Sequence, residues 1–111
     1  MNITLKKTLD VTPSLETYIE EKLTPLAKFV EAFDRDGAAE LHVEVSRTTN
    51  HHHKGDEVFM AVADLRLPGK VLRGEATASN IRTAIDDVRD KLHMEIKKYK
   101  TKRADVPRRE K

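Results

Sequence analysis

The fold is decided by the stretch from Leu65 to Val88, which reads LRLPGKVLRGEATASNIRTAIDDV. Its apolar residues alternate with polar ones on both sides of Pro68-Gly69, a pair typical of turns, so the stretch predicts two strands joined as a hairpin. The second strand, Val71–Ala78, places mostly small residues on one face, which favours close packing against a helix. Ser79 or Asn80 then provides the cap of that helix.

The helix that follows has one continuous apolar stripe at helical spacing. The stripe consists of Ile81, Ala84, Ile85, Val88, Leu92, Ile96 and Tyr99. The helix is expected to extend to about Lys102. Residues 1–103 are therefore predicted to form one domain, and residues 104–111 a short, basic, flexible tail.

Residues before Leu65 predict two more strands, a helix and the strand that begins the hairpin. Asn2–Leu9 alternates as a strand, and Thr12-Pro13 marks the start of a helix that Pro25 kinks or splits, with Thr24 capping the second piece. A loop over residues 34–37 ends this helix. Alternation at Leu41, Val43 and Val45 and again at Phe59, Ala61, Ala63, Leu65 and Leu67 indicates the second and third strands.

The predicted order is therefore β-α-β-β-β-α. This order favours an α+β fold with two layers, in which a four-stranded, mostly antiparallel sheet carries both helices on one face. The crossover through the first helix allows the first two strands to be parallel neighbours.

Composition excludes several classes of protein. The chain has 111 residues and no cysteine, which excludes a disulfide framework and a thiol nucleophile and suits a reducing compartment. It contains no apolar run of about 20 residues and no signal-peptide pattern at its start. Phosphate-binding glycine loops and the Gly-x-Ser-x-Gly motif are also missing, so we expect no enzymatic activity and no cofactor.

The net charge of +2 conceals a gradient along the chain. From Lys91 onward, nine of the 21 cations and three of the 19 anions give +6, whereas the preceding residues carry −4. A polyanionic partner would meet this basic end. The alternative is that these cations complement the helix dipole and keep the surface solvated.

The spacing of the basic residues near the end of the chain predicts a candidate RNA-binding face on the last helix. Lys91, Lys98 and Lys102 are seven and four residues apart and share one side of the last helix, where they could contact successive phosphates. A second flank carries Arg82, Arg89, Lys97 and Lys100. Lys22 and Lys28 would contribute if the first helix lies beside the last one.

The remaining candidates favour structured RNA over other ligands. Aromatic residues are only 5% of the chain and are expected in the core, which argues against stacking of single-stranded bases and for recognition of backbone and shape. His51, His52 and His53 suggest either a polar loop or, less favoured by their spacing, a metal site. The carboxylates of Asp86, Asp87 and Asp90 lie in the first half of a helix and are expected to serve structure rather than catalysis.

The sequence resembles the ribosome hibernation-promoting factor family, also called ribosome-associated inhibitor A or protein Y. The resemblance rests on the hairpin Leu65–Ala78 and on the segments Ala84-Ile-Asp86, Asp90-Lys-Leu92 and Lys98-Tyr-Lys-Thr-Lys102. Thr12-Pro13, Lys22-Leu23 and Leu26-Ala-Lys-Phe29 fit the same pattern. It covers residues 1–103 and, since the second domain of the long members does not follow, it implies a short form.

The resemblance implies a fold similar to double-stranded-RNA-binding domains and a cytoplasmic factor without catalytic activity. Such a factor would bind rRNA of the small ribosomal subunit in the mRNA–tRNA channel at the A and P sites, and would block translation in stationary phase or stress. It would bind neither DNA nor membranes and would be a monomer off the ribosome. The implied RNA-binding residues are Lys22, Lys28, Lys91, Lys98 and Lys102, and Arg82 and Arg89 are expected to add to them.

Four positions depart from the family pattern. Pro25 and Met94 occupy positions that are often basic, Arg82 stands where an aromatic residue is usual, and Glu95 stands where glutamine is usual. Two alternatives stay open beside the family function. One is a module that binds a structured RNA outside the ribosome, and the other is a protein-interaction or metal-responsive domain that uses the loop at His51–His53.

Overall fold

The structure is a computed structural model that describes residues 2–7, 11–31, 39–49 and 57–109, with side chains for residues 2–6, 11–31, 39–47 and 58–101. Its elements follow the predicted order. They are β1 (Asn2–Lys7), α1 (Pro13–Leu23), a 3-10 turn (Thr24–Leu26), α2 (Ala27–Val30), β2 (Glu40–Thr49), β3 (Glu57–Leu67), β4 (Lys70–Ala78) and α3 (Ile81–Arg109). The predicted loops at residues 34–37 and 51–53 lie outside the described residues.

The four strands form one mixed sheet in the order β1-β2-β3-β4. β1 pairs with β2 in parallel, with Ile3 opposite Leu41, whereas the other two pairs are antiparallel. The predicted parallel pairing of the first two strands is therefore confirmed. The β3–β4 turn contains Gly69 at φ 74°, a backbone conformation that favours glycine.

One face of the sheet carries the helices, and the core lies between these two layers. Alternation places Leu41, Val43 and Val45 of β2 on this face, where each is at most 1% exposed. The helices contribute the residues that recur every three or four positions. These are Leu15, Ile19, Leu23, Leu26 and Val30 from α1 to α2, and Ala84, Ile85, Val88, Leu92 and Ile96 from α3.

The starts of α1 and α3 have side-chain caps. Thr12 Oγ1 accepts a hydrogen bond from the backbone N–H of Leu15 at 3.1 Å, and Asn80 Oδ1 accepts one from Arg82 at 2.8 Å. These bonds satisfy backbone donors that a helix leaves free in its first turn. They confirm Thr12 as a cap and select Asn80 over Ser79.

The first helix splits at Pro25, as predicted. Proline lacks the N–H of the helical ladder, and the chain passes through a 3-10 turn before it continues as α2. The predicted cap by Thr24 is wrong: neither the 3-10 turn nor α2 has a side-chain cap, and Thr24 lies inside the turn. Backbone hydrogen bonds of the turn replace the cap, since the Ala27 N–H donates to the Thr24 and Pro25 carbonyls.

α3 is the longest element and spans 29 residues, or about 43 Å at ~1.5 Å per residue. It continues to Arg109, past the end that the apolar stripe predicts near Lys102. The stripe ends where the core ends, so it gives no information on how far the helix extends beyond the core. The proposed domain boundary at residue 103 stays a prediction.

Candidate nucleic-acid interface

The candidate cations of α3 lie on two opposite flanks of the helix. Residues advance by ~100° per position, so Arg89 and Lys91 are about 160° apart around the axis. Contacts agree with this division: Lys91 reaches β4, whereas Arg82 reaches α1. The crest between the flanks faces solvent and carries Met94, which is 59% exposed.

The flank next to β4 holds Lys91 and Lys98. Lys91 Nζ donates a 2.6 Å hydrogen bond to the backbone carbonyl of Glu75, and Lys98 Nζ lies 3.4 Å from Glu95 Oε2. A shallow depression of about 170 Å³ beside Lys98 also contains Lys70. Lys102 belongs to the same flank by its backbone position, while its side chain lies outside the described ones.

The flank next to α1 is organised around the ring of Tyr18. Lys22 Nζ lies 5.5 Å and Arg82 Cζ 5.3 Å from the ring centroid, distances at which a cation interacts with an aromatic ring. The Tyr18 hydroxyl donates a 2.7 Å hydrogen bond to Asp86 Oδ1, and Arg82 Nη2 donates one of 3.2 Å to Ser14 Oγ. The contacts join α1 to α3 and hold two cations side by side.

The expectation that the two helices lie beside each other is thus confirmed, although the cations do not form one surface. Lys22 lies with Arg82 on the α1 flank, and its Nζ is 3.7 Å from Asp86 Oδ1. Arg89 Nη2 contacts Asp90 Oδ1 at 2.8 Å, and Lys28 is exposed on α2. The predicted structural role of the carboxylates is visible at Asp86 and Asp90, both of which pair with cations.

The hydrogen bond to Asp86 changes the acidity of Tyr18. It raises the pKa of Tyr18 above its ordinary value, with smaller contributions in the same direction from desolvation and from the charge of Asp86. Arg82 and Arg89 act in the opposite direction because they favour the tyrosinate. The neutral hydroxyl is therefore the form that bridges α1 and α3.

Replacing Tyr18 by phenylalanine is expected to lower the free energy of unfolding by about 0.5–1 kcal/mol at pH 7, because one partly buried hydrogen bond is lost. The pKa is raised in the folded state, so this contribution is complete below the unfolded-state pKa of about 10 and disappears as pH rises through the folded-state pKa. Urea unfolding of both proteins from pH 7 to pH 11 measures the difference. A difference that grows above pH 10 would contradict this assignment.

The expectation that the aromatic residues lie in the core is wrong for Phe29. Its ring packs on the ring of His93 with centroids 4.3 Å apart and an interplanar angle of 32°, and the residue is 36% exposed. The sequence did contain a sign of this, because Phe29 lies outside the apolar stripe that includes Leu26 and Val30. His93 likewise lies beside the stripe of α3.

Two further properties concern metals and membranes. Within residues 2–7, 11–31, 39–49 and 57–109, no group of three or more histidine and carboxylate side chains is placed to hold a metal ion. His51, His52 and His53 lie outside these ranges, so the interpretation of that loop stays a prediction. No helix in the described part of the chain has the length and apolar character needed to cross a membrane.

Comparison with known proteins relates the fold and the sequence to one family. The family described as sigma 54 modulation protein / S30EA ribosomal protein matches residues 1–104. The chain is 28% identical over 109 residues to a ribosome hibernation promoting factor of Acinetobacter guillouiae and covers 92% of that protein. It is 30% identical over 103 residues to the ribosome hibernation promotion factor of Bacillus subtilis, of which it spans half.

Two of the solved structures that match this chain share its fold. A ribosomal subunit interface protein from Coxiella burnetii has a TM-score of 0.69 at 22% identity, with 91% of this chain and 99% of that one covered. The N-terminal domain of Thermus thermophilus protein Y has a TM-score of 0.64 at 26% identity, covering 89% and 99%. Together they establish the α+β arrangement of a four-stranded mixed sheet with its helices on one face.

Proposed function

Because the chain belongs to the family of sigma 54 modulation proteins and S30EA ribosomal proteins, we propose that it is a ribosome hibernation factor. It binds rRNA of the small ribosomal subunit in the mRNA–tRNA channel, at the A and P sites. It blocks translation by occupying that space, without a catalytic step. The relatives that carry the name ribosome hibernation promoting factor support this proposal.

The observation that carries the proposal is the presence of cations on both flanks of one long helix. The major groove of an A-form RNA duplex is too narrow to admit a helix, and its minor groove is shallow, so one duplex would contact one side of α3 and reach Lys91 and Lys98 or Arg82 and Arg89. A channel with RNA on two sides would reach both sets, and phosphates on each side would be neutralised. Cations on both flanks of α3 therefore favour a binding site that is enclosed by RNA over binding to the surface of one duplex.

The ion pairs within the interface do not oppose this role. Lys22, Arg89 and Lys98 each pair with a carboxylate that is 39% to 63% exposed. Exposed pairs of this kind contribute only about 0–1 kcal/mol, so a phosphate can replace the carboxylate at little cost. The proposed RNA-binding residues are Lys22, Lys28, Arg82, Arg89, Lys91, Lys98 and Lys102.

The salt dependence of binding tests the proposal directly. Each phosphate that the protein neutralises releases counterions, so the logarithm of affinity for small subunits should fall with the logarithm of salt concentration with a slope of about −3 to −6. Sedimentation of the protein with small subunits between 50 and 300 mM salt measures this slope. A flat response would contradict binding through lysine and arginine contacts to phosphates.

A competition experiment distinguishes binding to the ribosome from binding to other structured RNA. Cations along a helix would suit the backbone of any A-form RNA, which keeps a module for a non-ribosomal RNA as the second candidate. Duplex RNA, added in a mass equal to that of the small subunits, should not displace the protein from them if the channel is its binding site. Equal competition would favour the second candidate.

The same proposal includes the setting in which the protein works. Residues 1–103 hold the ribosome-binding domain, and the chain is a cytoplasmic monomer until it meets an idle ribosome. It then acts in stationary phase or stress. Neither DNA nor a membrane is a partner in this proposal.

A further inference from the structure

An exposed apolar patch lies on the α1 flank between α2 and α3. Phe29, Val71 and Met94 are the large apolar residues that are exposed among the described side chains, at 36%, 56% and 59%. Phe29 stacks on the ring of His93, whereas Met94 lies on the crest of α3, about 100° around the helix axis from His93. The patch therefore consists of Phe29 and His93.

Cations surround this patch. Lys28 precedes Phe29 in α2, and Arg89 and Lys97 lie one helical turn before and after His93 on α3, about 6 Å away along the axis. Arg89 is held by Asp90 at 2.8 Å, and Lys28 and Lys97 are exposed. An aromatic surface bordered by cations combines the two features with which proteins bind single-stranded nucleic acid.

We infer that the Phe29 ring stacks on an unpaired base of the RNA while the surrounding cations contact its phosphates. The inference rests on the proposed binding to rRNA and adds a second kind of contact, since the lysines recognise backbone alone. The Phe29 ring, which packs on His93 and belongs to a residue that is 36% exposed, matches the size of one base. A protein partner is less suited, because a stable protein interface needs about 800 Å² on each side and this patch consists of two side chains.

The first test compares single-stranded and duplex RNA as probes. Phe29→Leu keeps an apolar side chain and removes the ring, whereas Phe29→Tyr keeps the ring. In fluorescence anisotropy with a 12-nucleotide oligoadenosine, we expect Phe29→Leu to lose about tenfold in affinity and Phe29→Tyr to stay within twofold of the unaltered protein. Affinity for a blunt RNA duplex of the same length should not change in either variant.

The matched control is Val71→Ala, which removes another exposed apolar side chain from the sheet face that lies opposite the helices. It should bind both RNA probes like the unaltered protein. Circular dichroism and thermal unfolding confirm that each variant is folded. Equal single-strand affinity of Phe29→Leu and the unaltered protein, or equal losses in Phe29→Leu and Phe29→Tyr, would overturn the inference.

The second test uses small ribosomal subunits. Ultraviolet irradiation of the complex should cross-link a nucleotide to the peptide that contains Phe29, as identified by mass spectrometry. If Phe29→Leu loses subunit binding but binds both RNA probes normally, the patch contacts a ribosomal protein and the inference is wrong. If the unaltered protein does not sediment with subunits but Phe29→Leu still loses single-strand affinity, the ribosomal function fails and the base contact stands.

Discussion

Replacing Lys91, Lys98 and Lys102 together by glutamate is expected to abolish sedimentation with small ribosomal subunits. Three charge-assisted contacts at about 1.5 kcal/mol each correspond to at least about a thousandfold in affinity, and the new carboxylates add repulsion from phosphate. Sedimentation at 100 mM salt measures the loss. Normal sedimentation of this variant would mean that the flank next to β4 is not a binding surface.

Lys91 requires a separate variant, because its ammonium group also donates to the Glu75 carbonyl at 2.6 Å. That bond covers a carbonyl of β4, which lies at the edge of the sheet. Lys91→Gln removes the charge but keeps an N–H donor, so it should preserve the thermal midpoint and still weaken binding. Lys91→Glu places a carboxylate against the carbonyl and is expected to cost some stability as well.

A variant with two reversals on α3 has a matched control that reverses two charges on the open face of the sheet. Lys6→Glu with Arg66→Glu changes the net charge by the same amount as Lys91→Glu with Lys98→Glu. If placement of charge determines binding, the control pair should sediment nearly like the unaltered protein, and the α3 pair should not. Equal losses in both pairs would show that total charge alone determines binding, and would contradict a defined interface.

The sequence predicts the fold well where the spacing of apolar residues fits only one type of secondary structure. Alternation around Pro68-Gly69 identifies the hairpin, and the apolar stripe from Ile85 to Ile96 identifies the buried side of α3. Prediction is wrong at Thr24, because a proline-containing 3-10 turn satisfies its own backbone groups and needs no side-chain cap. Such compensation depends on local geometry that residue types do not reveal.

The sequence predicts the interface only in part. Spacing along α3 correctly separates the flank of Lys91 and Lys98 from that of Arg82 and Arg89. It does not reveal which flank α1 would approach, since the contact between Tyr18 and Asp86 joins residues 68 positions apart. The Phe29–His93 pair was missed for the same reason: it forms only when α2 and α3 are packed.

Replacing Gly74 by valine is expected to cost the fold about 3 kcal/mol. A Cβ atom at this position would lie 3.1 Å from the Val88 carbonyl oxygen and 3.2 Å from Leu92 Cγ. The carbonyl belongs to the backbone of α3 and cannot rotate away without breaking its helical hydrogen bond, and Leu92 is fully buried. Valine adds two methyl groups beyond that Cβ, so α3 must move off the sheet, and overpacking of this kind costs about 1–3 kcal/mol or more.

Urea unfolding distinguishes this steric cost from a general effect of valine in β4. Gly74→Ala adds the Cβ alone and should lose less stability than Gly74→Val, because its neighbours need to shift by only a few tenths of an ångström. Thr77→Val introduces the same residue at an exposed position of the same strand and should stay within about 0.5 kcal/mol of the unaltered protein. Because α3 carries both flanks of cations, a displaced helix should also weaken RNA binding in Gly74→Val at urea concentrations where the chain is still folded. Equal stability of Gly74→Val and Thr77→Val would mean that β4 and α3 are not in the close contact from which the interface is built.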